Sequence, residues 1–545
     1  MDGGSALVQT LIEHGINTAF SVPGESYLPI LNAIQNASNR INLITPRHES
    51  GVTFAAEAYG KLTGRPAAGF VSRGPGATNA SIGVHTAAQD STPLLLFIGH
   101  VPTSTKGREA FQEVDYHQMF GKIAKAVLEP ESSTDVAAVT ARAIDISTAG
   151  RPGPVIVVMP KDITEGDAGA PNIPSPSRRA RTIPDPESVA EAAALIDKAK
   201  RPLVVAGELV SVEGCRSDLL AFAERSGAAI ATAYRRQDTF PNDHAAYVGH
   251  LEINRVAFQR RLWEEADLVI AAGARLDGIS SQEFGFIGAG QMLLHIFPDV
   301  RSLANMNCEL AVAASVGPTL SALSKAIAPA SADRVAWRDG FHAEYDRFSQ
   351  PGSLEIFGQV DLSAVVVEMQ RQVHDDAMIL TDSGTFARWV HRFYRFTKPH
   401  AQAGPMSGAM GYSVPGAIGA ALAYPNRQTI AFVGDGGFLM SGQELTAAVQ
   451  HRLPIKIILC DNNAWGSILV SQQRRYGEPG TFGTRLQSPD FAMVARGYGA
   501  AAFTVAKTEE FSSTFAEVLA YDGPALIHVK LDERDVSPFT DEVSV

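Results

Sequence analysis

The stretch from Thr429 to Asn462 constrains this chain most, because it reads as strand, helix, strand with polar residues at both strand ends. TIAFV (429–433) is apolar and β-rich, SGQELTAAVQH (441–451) has helical spacing with a polar start, and PIKIILC (454–460) is a second apolar strand. A βαβ unit makes its two strands parallel and usually neighbours. Asp435 and Asn462 therefore fall just past the carboxyl ends of adjacent strands, the edge where ligands bind in open α/β sheets. A carboxylate and an amide oxygen there suit Mg²⁺, a hard cation that takes few protein oxygens and completes its shell with phosphate. The glycines of Gly434-Asp435-Gly436 allow backbone N–H groups to approach a diphosphate closely. Gly-Asp-Gly alone also fits a tight strand-to-helix turn, but Asp461-Asn462 after a second strand favours the metal reading.

This pattern resembles the metal–diphosphate motif of thiamine diphosphate enzymes. The resemblance implies Asp435, Asn462 and the backbone carbonyl of Ala464 as metal ligands; the spacing favours Asn462 over Asn463. It also demands a carboxylate elsewhere, placed against the pyrimidine ring of the cofactor. Residues 41–49, INLITPRHE, run an apolar strand into Pro46-Arg47-His48-Glu49, and the helix-like GVTFAAEAYGKLTG follows. Glu49, between strand and helix, takes that role by resemblance.

Gly74-Pro75-Gly76-Ala77-Thr78-Asn79, Asp90-Ser91-Thr92-Pro93, Phe111-Gln112-Glu113 and RPGPVIVVMPKD (151–162) narrow the resemblance to the acetohydroxyacid synthase (acetolactate synthase) branch. It runs from about Ser5 to about Lys530, dense in the first and last thirds and thin between. It implies Gln112 beside the thiazolium and Met410, in Ser407-Gly408-Ala409-Met410-Gly411, as an apolar wedge that bends the cofactor. It further implies a cofactor cradle of Pro23, Gly24, Gly384, Thr385, Gly408, Gly434, Gly436, Gly437, Asn462, Ala464, Trp465, Gly466 and Ile468. The implied catalysts are Glu49, Gln112 and Met410. The implied reaction is decarboxylation of a 2-oxo acid with carboligation to a second carbonyl compound. The alternatives are a 2-oxo acid decarboxylase, a lyase for a 2-hydroxy ketone or 2-hydroxyacyl thioester, and, remotely, a non-catalytic paralogue.

Departures from the family pattern matter. Synthases show Gly-Gln-His where this chain has Gly384-Thr385-Phe386, so its phosphate contacts differ. The family's Gly-x-Arg-Phe-Asp-Asp-Arg run is Gly273-Ala274-Arg275-Leu276-Asp277-Gly278-Ile279, and losing the last Arg removes a bidentate fork. HIFPDV (295–300), read as a strand, lacks the first Asp of the usual HIDID, so FAD is judged unlikely. Arg275 and Asp277 suit either an ADP-like group or a structural ion pair. Ser471 stands where synthases carry the Trp that selects the second keto acid. His48 and His117 are candidate proton shuttles with structural roles as the alternative. Lys125 reads as a surface lysine, and residues 472–491 as a polar lid over the site.

The length of 545 residues suggests about three domains. Linkers at 166–188 and near 328–360 separate three blocks, 1–165, 186–328 and 360–545. Each block alternates strands and helices, which predicts three doubly wound parallel-sheet α/β domains. By resemblance the first binds the pyrimidine, the third binds diphosphate and Mg²⁺, and the site forms between chains of a homodimer or homotetramer. A net charge of −12 without a basic run argues against nucleic acid. No long apolar run suggests a membrane span, and no signal peptide is evident. Three scattered cysteines fit a reducing cytoplasmic setting.

Overall fold

The computed structural model describes residues 1–177, 181–253 and 255–539. Residues 178–180 of the first linker and the last six of the third block lie outside this range. Three six-stranded sheets form, each parallel throughout. The first orders its strands β2-β1-β3-β4-β6-β5, from β1 (Thr18–Ser21), β2 (Asn42–Ile44), β3 (Ala68–Ser72), β4 (Leu94–His100), β5 (Ala126–Leu128) and β6 (Pro154–Pro160). The second is β12-β11-β10-β7-β8-β9, from β7 (Pro202–Ala206), β8 (Ala229–Thr232), β9 (Tyr247–His250), β10 (Leu268–Ala272), β11 (Met292–Ile296) and β12 (Leu310–Val312). The third is β14-β13-β15-β16-β18-β17, from β13 (Met378–Thr381), β14 (Gln402–Ala403), β15 (Thr429–Gly434), β16 (Lys456–Asp461), β17 (Ala501–Val505) and β18 (Ala525–Lys530). Central strands such as β4, β6 and β15 are buried along their whole length, as sheets covered by helices on both faces require.

In each sheet the strand order reverses near the middle, between β1 and β3, β7 and β10, and β13 and β15. These reversal points open crevices at the carboxyl edges. Pro23 and Gly24 follow β1, and Ser383-Gly384 and Asp435 follow β13 and β15. The expected strand at 41–49 is shorter, three residues of β2, with the helix Glu49–Thr63 beginning at Glu49 itself. HIFPDV is not a strand throughout. β11 ends at Ile296, and Asp299 caps a short helix from Val300.

The stretch read as a second linker holds a helix, Ala332–Phe348. Its Trp337, Phe341 and Tyr345 recur every fourth residue and pack on the central core, a helical stripe hidden among many charges.

The first and third domains share one hydrophobic core. Val52, Phe54 and Ala55 of the helix Glu49–Thr63 pack with Val414, Ala417 and Ile418 of the helix Ser413–Ala423. The two backbones approach so closely that a Cβ on Gly419 would sit 2.0 Å from the carbonyl oxygen of Ala55. Overpacking of this kind typically destabilises by about 1–3 kcal/mol. Gly419→Ala should therefore lower the thermal midpoint clearly, measured by scanning calorimetry. An unchanged midpoint would show that the helices separate without loss.

Candidate active site

The third sheet builds a cavity of about 550 Å³ at its reversal point. Ser383–Phe386 enter from β13, Gly434–Gly437 from β15, and Asn462 and Ala464–Ile468 from β16, with Gly408 and Met410 from a separate turn. Asp435 is buried, and its two oxygens accept from Gly436 N–H at 2.8 Å and Ala464 N–H at 3.2 Å. Asn462 Oδ1 accepts from the same Ala464 N–H at 3.3 Å, so the carboxylate and amide oxygens converge. Asn463 turns away and accepts from Ser488 N–H at 3.2 Å.

Burial pushes the Asp435 carboxyl up to about 6, and nearby Asp461 adds to the shift. Asp461 itself is driven the other way. Burial would raise it, but hydrogen bonds from His528 at 2.7 Å and Lys530 at 2.8 Å hold it well below the usual range. The all-oxygen donor set and the buried, uncompensated Asp435 fit a hard divalent cation.

The glycines serve more than ligand approach. A Cβ on Gly436 would lie 2.1 Å from the Trp465 ring, and one on Gly434 2.8 Å from the Phe386 ring. The two aromatic side chains thus occupy the space those positions leave open.

Met410 sits on the turn Gly404–Gly411, between Gly408 and Gly411, whose φ values of +72° and +80° few other residues adopt. Asp382, at the end of β13, accepts from Gly411 N–H at 2.9 Å, and Ser441 Oγ donates to Gly411 O at 2.6 Å. Asp382 is fully buried, and burial raises its carboxyl to about 6 despite the N–H groups of Ser383 and Gly411.

The first-domain residues lie elsewhere in the chain. Glu49 is half-buried and accepts from Asn79 Nδ2 at 2.9 Å. The segment leading into it is held by Glu444, which accepts from the N–H groups of Arg47 at 2.9 Å and His48 at 3.0 Å. Gln112 is exposed at φ +65°, with its carbonyl accepting from Gly74 N–H at 3.0 Å. Glu49, Gln112, Pro23 and Gly24 do not line the third-domain cavity. Within one chain these four residues therefore stand apart from the cavity that Asp435 and Asn462 line. His48 caps its helix through Nδ1, and Lys125 donates to Ala149 O. His117 lines a different cavity with His100, Glu113 and Tyr116.

Several cavity residues carry no signal in the sequence. Tyr234 and Ile253 come from the central domain, Arg388 from the helix Ala387–Phe393, and Asp535 and Val536 from the carboxyl-terminal segment. Ser471 is on the helix Gly466–Tyr476, which also takes up the first residues of the expected lid. Arg485 of that run pairs with Glu478 at 2.7 Å and Glu533 at 3.2 Å.

At the central reversal point, a Cβ on Gly207 would lie 2.2 Å from Ala274 Cα. Glu213 accepts from Val316 and Gly317 N–H at 3.1 Å each, filling a helix N-terminus of the kind that binds a dinucleotide phosphate. His295 bonds Ala274 O at 3.0 Å.

Comparison with known proteins agrees with this architecture. Residues 1–119 match the thiamine pyrophosphate enzyme N-terminal TPP binding domain, 189–323 its central domain, and 382–529 its C-terminal TPP binding domain. The chain belongs to the thiamine pyrophosphate enzyme family. Among its relatives is the acetolactate synthase isozyme 1 large subunit of Escherichia coli (strain K12), 30% identical, covering 98% of this chain and 94% of the relative. The acetolactate synthase large subunit of Parasynechococcus marenigrum is also 30% identical, over 98% and 88%. The probable acetolactate synthase large subunit of Methanocaldococcus jannaschii is 28% identical, over 99% and 93%. Among the described residues no helix is long and apolar enough to cross a membrane.

The Asp382 carboxyl has a sign-definite consequence for stability. Its folded value, about 6, exceeds the ordinary 3.8, so its contribution is fully present below about pH 4 and is lost as the pH rises to about 6. The loss is on the order of 2–3 kcal/mol. The thermal midpoint of the apo-protein relative to Asp382→Asn should fall between these pH values and level off above them. A constant difference across the range would contradict the assignment.

Proposed function

We propose that this chain is a thiamine diphosphate- and Mg²⁺-dependent enzyme that decarboxylates a 2-oxo acid and joins the retained fragment to a second carbonyl compound, as the acetolactate synthases it resembles are named for. The carrying observation is the convergence of Asp435 Oδ2 and Asn462 Oδ1 on one amide at the reversal point of the third sheet. Asp435, Asn462 and the Ala464 carbonyl would hold the metal, and the loops after β13, β15 and β16 would cradle the diphosphate. The cofactor supplies an acidic ring carbon and an electron sink. Glu49, steadied by Asn79, would meet the pyrimidine ring of the bound cofactor, and Met410 would support the cofactor from below. Gln112 faces the reacting end.

The proposed enzyme is a homo-oligomer, dimer or tetramer, with one chain's Glu49 half-site closing on another's Asp435 half-site. The separation of Glu49 from the Asp435 cavity within one chain supports this. The filled central crevice supports an FAD-independent enzyme, and the three free cysteines fit a cytoplasmic setting. A second reading, simple decarboxylation or lyase chemistry, is favoured by Ser471 and Ile279, which leave no synthase-type Trp or final Arg. Incubation of the holoenzyme with pyruvate decides between them. Acetolactate marks the ligase, and acetaldehyde alone marks the decarboxylase.

Two variants test the site. Asp435→Ala should abolish Mg²⁺-dependent binding of thiamine diphosphate, read by titration calorimetry. Glu49→Gln should retain binding but slow exchange of the cofactor's thiazolium C2 proton by about 10²–10⁴-fold. Mixing the two inactive proteins should restore part of the activity, because a hybrid dimer holds one site with neither defect. Demonstrated subunit exchange without recovery would refute the shared site.

A further inference from the structure

The carboxyl edge of the central sheet carries charged side chains at the ends of three strands. Glu208 follows β7, Arg235 and Arg236 follow β8, and Arg275 follows β10. In an open α/β sheet such groups face a ligand. Here Glu208, Arg236 and Arg275 face a loop of the first domain. Arg275 donates twice to Gln89 Oε1, both at 3.1 Å. Arg236 donates to the carbonyl of Asp90 at 2.8 Å and to its Oδ1 at 3.2 Å. Glu208 accepts from Ser91 Oγ at 3.2 Å. Glu208, Arg236, Asp90 and Ser91 are all buried, and Ser91 is held at φ +54°, where few non-glycine residues sit.

The same loop reaches the third domain. Asp90 Oδ2 accepts from Met406 N–H at 3.1 Å, while Oδ1 accepts from Lys61 Nζ at 2.5 Å. Lys61 also donates to Gly404 O. Arg235 donates to Pro405 O at 2.9 Å and Asp382 O at 3.1 Å. The turn Gly404–Gly411 is thus pinned at three successive residues, Gly404, Pro405 and Met406, by buried groups from the other two domains. Met410 is four residues beyond Met406 on that turn.

We propose that the ligand edge of the central sheet acts in this protein as a clamp on the Gln89–Thr92 loop, and that Asp90 is a positioning residue for the turn that carries Met410. The inference rests on the reading of Met410 as the support under a bent cofactor. The chemistry explains the choice of residue. A carboxylate has two oxygens with enough lone pairs to join a guanidinium, an ammonium and a backbone N–H at one point. Its single negative charge lies between two buried cations, Lys61 and Arg236. An amide in its place keeps one acceptor but strands charge.

The test uses the full-length holoenzyme with Mg²⁺. Variants Asp90→Asn and Arg236→Gln are compared for cofactor affinity by fluorescence quenching and for C2-proton exchange by quenched NMR. Misplacing the turn by about 1 Å should slow exchange by about 10–100-fold in Asp90→Asn, with affinity little changed because the metal and diphosphate contacts are untouched. Arg236→Gln should slow exchange in the same direction, although Arg236 does not line the cofactor cavity. If Asp90→Asn folds poorly, Asp90→Asn with Lys61→Met removes the stranded cation and gives the same reading. Wild-type exchange in the folded Asp90 variants would overturn the proposal. So would affinity and exchange falling together in Asp90→Asn with Arg236→Gln unaffected, which is the behaviour of a merely structural group. Met410→Ala separates the two layers. If it exchanges normally while Asp90→Asn is slow, positioning of the turn stands and the role of Met410 falls.

Discussion

Asp90 is the point on which the three domains meet. Its carboxylate takes Lys61 from its own domain, Arg236 from the central domain and the Met406 N–H from the third. Burial lowers the tendency of Lys61 to hold its proton, and the ion pair with Asp90 opposes that. A buried ion pair adds little net stability over an apolar core, but breaking one by removing a partner commonly costs about 3–5 kcal/mol. Such a group therefore selects one arrangement of domains more than it strengthens any arrangement. Close by, Glu57 accepts from Thr92 at 2.8 Å and Tyr412 at 2.5 Å, so the polar centre continues into the interface between the first and third domains.

The arrangement that Asp90 selects is the one the site needs. The turn bearing Met410 is not part of any strand or helix and has no local reason to hold its shape. Two left-handed glycines allow it to fold back, and fixed donors and acceptors from three domains keep it there. On the other side of the cavity, Asp435 and Asn462 need no such help. Adjacent parallel strands, in register at Gly434 and Cys460, bring them together directly. One wall of the site is thus a property of a single βαβ unit, and the other is a property of the whole chain.

Legibility followed the same division. The β15–β16 unit and the meeting of Asp435 and Asn462 at its end could be read because each signal lies within one local element and its immediate neighbour. Glu49 was legible as a strand-to-helix junction, though its strand proved to be only three residues long. The helix Ala332–Phe348 was missed because charges dilute its apolar stripe. HIFPDV reads as a strand by composition, but the pairing with β10 and β12 ends at Ile296. Tyr234 and Ile253 carry no sequence mark, since nothing local says which side chains will face a cavity built by a distant domain.

The sequence by itself determined the alternation of strands and helices, the three-sheet class and the chemistry at the strand ends. Those depend on apolar periodicity and on where a strand stops, and both are local. Only the tertiary structure decided that the central sheet's charged edge grips Gln89–Ser91, that Glu213 fills its helix N-terminus, and that Glu49 stands apart from the Asp435 cavity in one chain. A buried charge takes whichever partner the packing of domains brings within reach, and that partner can lie hundreds of residues away.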